Sequence, residues 1–271
     1  MRHATESRGF TLIEMIVAMV IGGLLLAMVG MFVRHQIDAY VEVSARMQLA
    51  DAADTALGRM EREIRAALPN SLRVSGNYLE FVPIMDAGRY RAESGGGADF
   101  PLDFGLGASA DHFDVLGPPV RVAAGEEIVV FNLGVPGGDV YAGDNRRAPS
   151  ATGAALTEIT AAAPFGFPFA SPASRFHVVG QPVTFVCDPA NRVIRRHWGY
   201  GFHDSQPDTN EALAAGNAAV LVDNLDPAGG CSFAYIPGAL QRNGLVSLRL
   251  TLTLNGETVS LQQQIPIDNT P

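Results

Sequence analysis

Hydrophobic positions change their period twice along the chain. From Met15 to Val33 no charged residue occurs, and Met, Ile, Val, Leu and Ala dominate. The run is about as long as a helix needs to cross a hydrocarbon core of ~30 Å. From Tyr40 the apolar positions fall three and four apart, at Tyr40, Val43, Met47, Ala50, Ala53, Leu57, Met60, Ile64 and Leu68. Glu42, Arg46, Asp51, Arg59, Glu61, Arg62 and Arg65 lie between them. That spacing predicts one apolar helical stripe packed on the chain's own globular part. No proline interrupts residues 10–68 and Pro69 follows at once. One helix over 10–68 is therefore expected, crossing a membrane at about 10–33 and amphipathic over about 38–68.

After Pro69 the period drops toward two. Tyr78 to Ile84 and Ile128 to Leu133 read as strands. Gly88 to Gly107 reads as a long irregular connection, and the Gly-, Ala- and Pro-rich stretch from Gly137 to Pro172 as surface loops. Val183–Cys187 and Val193–Trp198 flank Asp188-Pro189-Ala190-Asn191-Arg192 and predict a hairpin. Glu211 to Val220 is alanine-rich and predicts a short helix. From Leu245 to Leu254, Val246, Leu248, Leu250 and Leu252 alternate with Ser247, Arg249, Thr251 and Thr253. Asn255-Gly256 then supplies a two-residue turn into Glu257–Ile267. The expected class is α+β: a long N-terminal helix packed on a mainly antiparallel β region spanning 69–271.

Composition narrows the function. The 271 residues carry 19 basic and 28 acidic side chains, net −9, with no basic run longer than a pair. A nucleic-acid surface has no footprint here. The only two cysteines, Cys187 and Cys231, lack the second pair of a zinc site; in an exported domain one disulfide is expected, with free thiols as the alternative. Arg2 and Arg8 precede the apolar run, which predicts that the N-terminus stays inside and the C-terminal part is exported to the periplasm. An ordinary cleaved signal peptide fits poorly, because the apolar run is longer than a signal core and Glu14 stands at its threshold.

Arg8-Gly9-Phe10-Thr11-Leu12-Ile13-Glu14 followed by an apolar helix resembles the processing site of type IV prepilins and type II secretion pseudopilins. The resemblance implies a leader over 1–9 that prepilin peptidase removes after Gly9, with N-methylation of the new terminus at Phe10. It also implies that Glu14 pairs with the N-terminal amine of a neighbouring subunit during assembly. Arg175-Phe176-His177-Val178-Val179, Pro182-Val183-Thr184-Phe185-Val186-Cys187, Gly244-Leu245-Val246-Ser247-Leu248 and the terminal Asp268-Asn269-Thr270-Pro271 resemble the MshO-type minor pilins of mannose-sensitive haemagglutinin (MSHA) pili, relatives of PilW- and GspJ-type subunits. Partners implied are prepilin peptidase, other major and minor pilins, the inner-membrane assembly platform, and membrane lipid before assembly. The resemblance implies an inner-membrane single-pass protein that passes into a filament. A J-type pseudopilin of type II secretion is the alternative of the same class; a monomeric membrane-anchored sugar-binding protein is the alternative of another.

Further chemistry is sparse. His177, His197 and His203 lie near Cys187 in sequence, but their spacing matches no compact zinc pattern. Asp111, Asp114, Asp139 and Asp144 are candidate calcium ligands without an EF-hand pattern. Trp198, Tyr200 and Phe202 are a candidate sugar-stacking group. No nucleophile elbow, phosphate loop or metal-binding histidine pair occurs, so neither an enzyme nor a cofactor is expected.

Overall fold

The computed structural model describes residues 10–105, 107–238, 243–267 and 269. In chain order the elements are α1 (Leu12–Arg65), β1 (Arg73–Ser75), β2 (Tyr78–Phe81), β3 (Ile84–Tyr90), β4 (His112–Leu116), β5 (Val120–Val122), β6 (Glu127–Val129), β7 (Arg146–Arg147) and β8 (Gly153–Leu156). They continue as β9 (Glu158–Thr160), β10 (Arg175–Val179), β11 (Val183–Asp188), β12 (Val193–Trp198), β13 (Asn217–Val222), β14 (Cys231–Ile236), β15 (Gly244–Leu254) and β16 (Glu257–Ile267). Among the described residues the strands form sheets ordered β1-β2-β11-β12-β13, β7-β6-β10-β3-β4-β9, β14-β15-β16 and β5-β8, with antiparallel pairing throughout. The expected α+β class is the observed one.

The chain divides into two compact units, with the boundary between Gln48 and Leu49. In the second unit, Leu49, Ala53, Ala56, Leu57, Met60 and Ile64 share a core with Leu79, Phe81, Phe185 and Ile194 of the five-stranded sheet. Val246, Leu248, Leu250, Leu252, Ile265 and Ile267 of the three-stranded sheet complete that core. Its helical stripe is offset from the expected one: Tyr40, Val43 and Met47 are 75%, 57% and 68% exposed, whereas Leu49 and Ala56 are buried. A separate aromatic core gathers Tyr90, Phe113, Phe165, Phe167 and Phe176 against the six-stranded sheet. Cys187 of β11 and Cys231 of β14 are joined as a disulfide with Cα atoms 6.1 Å apart, linking the five- and three-stranded sheets.

α1 ends at Arg65, short of the expected Leu68, because strand partners take over its last backbone groups. The Ala67 N–H reaches back only to Ile64, the Leu68 N–H donates to Val82 O, and Ala66 O accepts from Ile84 N. The same exchange breaks the strand expected over Tyr78–Ile84 at Val82-Pro83, where proline has no N–H for a ladder. The chain resumes as β3 through Tyr90, inside the stretch expected to be irregular from Gly88.

Other expectations are corrected too. The strand expected over Ile128–Leu133 is confined to Glu127–Val129, since Phe131 turns into positive φ at 52°. The loops expected from Gly137 to Pro172 contain β7, β8 and β9, and they bury Phe165 and Phe167. The helix expected over Glu211–Val220 is a turn followed by β13, whose pairing with β12 overrides the helix propensity of its alanines. Two hairpins match their expected spans closely. β11 and β12 pair from Val183↔Trp198 to Asp188↔Val193. β15 and β16 pair without a bulge from Gly244↔Ile267 to Leu254↔Glu257, around Asn255 (φ 52°) and Gly256 (φ 85°).

Candidate functional site

Thr11 begins the helix. Its Oγ1 accepts a hydrogen bond from the Glu14 N–H at 3.3 Å, while Glu14 Oε2 accepts from the Thr11 N–H at 3.2 Å and from Thr11 Oγ1 at 3.1 Å. This reciprocal arrangement is a capping box, which satisfies two of the donors a helix start leaves unpaired. A carboxylate there also faces the positive end of the helix dipole. Glu14 was expected to act between subunits; within one chain it caps its own helix. The signal was present in the sequence, since Thr11-Leu12-Ile13-Glu14 fits the Ser/Thr-x-x-Glu pattern.

Beyond the cap the helix is apolar on every side. An 18-residue window reaches a mean hydropathy of 2.7 with none of it buried inside the protein, so the segment is long and apolar enough to cross a membrane. Phe10 is 87% exposed, and Leu12, Leu26 and Met31 are exposed at 75% or more. A soluble chain rarely leaves a contiguous apolar surface of this extent open, so it calls for lipid or other apolar helices. Phe10 sits just before the cap; Gly9, the expected cleavage residue, lies outside the described residues.

The second-unit candidates are dispersed. Trp198 packs at the edge of the large helix–sheet core, Tyr200 joins Val186 and Leu213, and Phe202 packs near Val140 and Tyr141. They form no common stacking platform. Tyr200 instead donates to Glu80 Oε1 at 2.8 Å and lies 2.7 Å from Thr184 Oγ1. Glu80 is fully buried and holds Arg73 Nε at 2.6 Å, and burial pushes its carboxyl above the usual range. Sequence reasoning missed this network. Glu80 alternates with Leu79 and Phe81 as a solvent-facing residue would, and Tyr200 covers it from a distant loop.

The histidines and aspartates are equally scattered. His177 lies on β10, His197 on β12, and His203 Nε2 meets Tyr200 O at 3.2 Å. Asp114 is tied to Arg91 at 2.7 Å, which holds its carboxyl below the usual range; Asp111 meets the His112 ring. Asp139 accepts from Tyr141 N and Asp144 from Gly137 N. Among the described residues no group of three or more His, Cys, Asp or Glu side chains is placed to hold a metal ion.

The family model for the prokaryotic N-terminal methylation motif matches residues 6–30, which include the capping box and the start of the apolar run. No curated protein and no solved structure matches the chain. The motif indicates a type IV pilin-like protein, and it implies processing by prepilin peptidase and assembly with other pilins.

Proposed function

We propose that the chain is a minor type IV pilin of the MSHA-like kind. Prepilin peptidase cleaves it after Gly9 and methylates Phe10; it waits in the inner membrane with residues 69–271 in the periplasm, and the assembly platform then moves it into a filament. The observation that carries this reading is the methylation motif over residues 6–30 joined to an apolar helix with Glu14 at its threshold. Its work is mechanical. Apolar helices leave the bilayer because the filament core offers an equivalent environment.

Glu14 supports the reading on energetic grounds. Only about 6 Å of helix rise separates it from Phe10, so the carboxylate stays near the headgroups and avoids the ~2.5–3.5 kcal/mol of a mid-bilayer charge. Exchanging the Thr11 cap, worth about 1 kcal/mol, for a neighbour's amine would fix the axial register of otherwise featureless apolar helices. Glu14→Leu is expected to be cleaved normally and to be absent from sheared filaments. N-terminal sequencing and immunodetection of the sheared fraction read the two steps separately, and normal incorporation of the variant would refute the pairing role. Recovery of the wild type only in short periplasmic structures, never in long sheared fibres, would transfer the chain to the J-type pseudopilins of type II secretion.

A further inference from the structure

β16 is the outer member of the β14-β15-β16 sheet, and its outer edge pairs with no described strand. The two-residue turn makes Leu254↔Glu257 a hydrogen-bonded pair. Val259, Leu261, Gln263, Ile265 and Ile267 therefore exchange bonds with β15. Thr258, Ser260, Gln262, Gln264 and Pro266 turn their backbone groups the other way. The far side of β15 confirms the parity: Thr251 and Thr253, opposite Ser260 and Thr258, donate their N–H groups to Gly230 O and Asn224 O.

Sheet edges are ordinarily guarded by charges, bulges or prolines. From Thr258 to Gln264 this edge has no charged residue and no register shift, and Pro266 guards only one end. The polar side chains that could cover it are bonded back onto β15: Thr258 to Thr253 at 3.1 Å, Ser260 to Thr251 at 3.0 Å and Gln262 to Ser247 at 3.1 Å. On the inner face Gln263 Nε2 donates to Glu61 at 2.7 Å and Ile265 is fully buried, so the strand is held firmly. The result is an ordered backbone edge about 20 Å long.

We propose that this edge pairs, by strand addition, with an edge strand of a neighbouring pilin-like subunit, an inference that rests on the pilin reading above. A second copy offering its own β16 is the wrong occupant. The twofold axis of an antiparallel β16–β16 pair stands perpendicular to the sheet and would reverse the helical turns Leu49–Arg65 that share its core. Chains drawn from one membrane into one filament run in one direction. Thr258, Ser260, Gln262 and Gln264 are exposed on the outer face of the sheet, so the added strand would bond through its backbone and keep the side chains beside them in solvent.

The test uses the full-length chain in cells that assemble it. A photo-crosslinking residue at Ser260 is expected to capture a different chain carrying a processed pilin N-terminus, and the same residue at Arg249, on the central strand, is not. Gln262→Pro removes one outward N–H without touching the β15 ladder. It should lower the adduct about tenfold, the factor a lost backbone hydrogen bond commands, while Gln262→Ala leaves the adduct unchanged. Gln262→Lys, which keeps the backbone and places a charge on the edge, should lower it likewise and serves where the proline variant melts early. No adduct from Ser260, an adduct only with a second copy through β16, or an adduct insensitive to both Pro and Lys overturns the edge pairing. Wild-type chain that is unprocessed or absent from filaments in the same cells sinks the pilin reading instead.

Discussion

His177 holds the clearest acid-sensitive contribution in the β-rich unit. It sits on β10, flanked by Ala87 of β3 and Val129 of β6, where burial, with Arg175 adding to it, pushes the ring's pKa down from 6.5 to about 4. A folded-state value below the unfolded one means that the folded chain resists protonation. The stability is fully present above pH 6.5 and is lost as pH falls toward 4. At about 1.36 kcal/mol per pKa unit the loss approaches 3 kcal/mol, less whatever residual water contact screens. Glu80 works in the opposite sense, since its raised pKa adds stability only toward the acid end. The informative quantity is therefore a difference. As pH falls from 7 to 4 the wild type should lose stability relative to His177→Gln in denaturation midpoints, and parallel curves would remove His177 from the account. Glu80 was not legible as buried in the sequence, because the face of its strand is covered by Tyr200, far along the chain.

Elements were legible where a period ran uninterrupted. The β15–β16 hairpin could be read from strict alternation and Asn255-Gly256, and α1 from its apolar run and Pro69. β3 was not, because Gly88 lies inside it. That glycine has a packing reason: a Cβ built there would come within 2.7 and 2.8 Å of the Phe176 ring and 3.0 Å of Val120 Cγ1. Phe176 is fully buried and packs edge-on against Phe113 at 5.3 Å, so it has nowhere to retreat. Gly88→Ala should therefore destabilise the unit by about 1–3 kcal/mol through overpacking, despite the entropy it removes from the unfolded chain. A chemical melt that shows no loss would mean that β3 and β10 can separate more freely than their register suggests. β13 eluded the sequence for a different reason, since helix propensity in Ala218 and Ala219 is worth less than one paired edge of a sheet.

At the scale of the whole chain the decisive contrast lies between the two units. Up to Gln48 the helix leaves its large apolar side chains exposed, while from Leu49 onward the same helix supplies Leu49, Ala53, Ala56, Leu57, Met60 and Ile64 to a core shared with two sheets. The expected stripe merged these regimes by extending the packed face back to Tyr40, since periodicity alone does not tell which apolar residues meet their own chain and which await another. The division predicts the behaviour of two fragments. A chain beginning at Arg34 drops the apolar run but keeps every helical residue of the core, so it should be monodisperse without detergent. Its melting free energy should stay within about 1 kcal/mol of the full-length protein in micelles, because surface substitutions away from the core shift stability little. A chain beginning at Ala66 loses all six helical residues of the core, Leu49, Ala53, Ala56, Leu57, Met60 and Ile64. Deletions of Leu or Met side chains cost about 2–5 kcal/mol each, and a domain's whole stability is about 5–15 kcal/mol, so this fragment should not fold. Size-exclusion chromatography with circular dichroism separates the outcomes. A folded second fragment would mean that the helix is an accessory to the β-rich unit, when the packing makes it the centre of that unit's core.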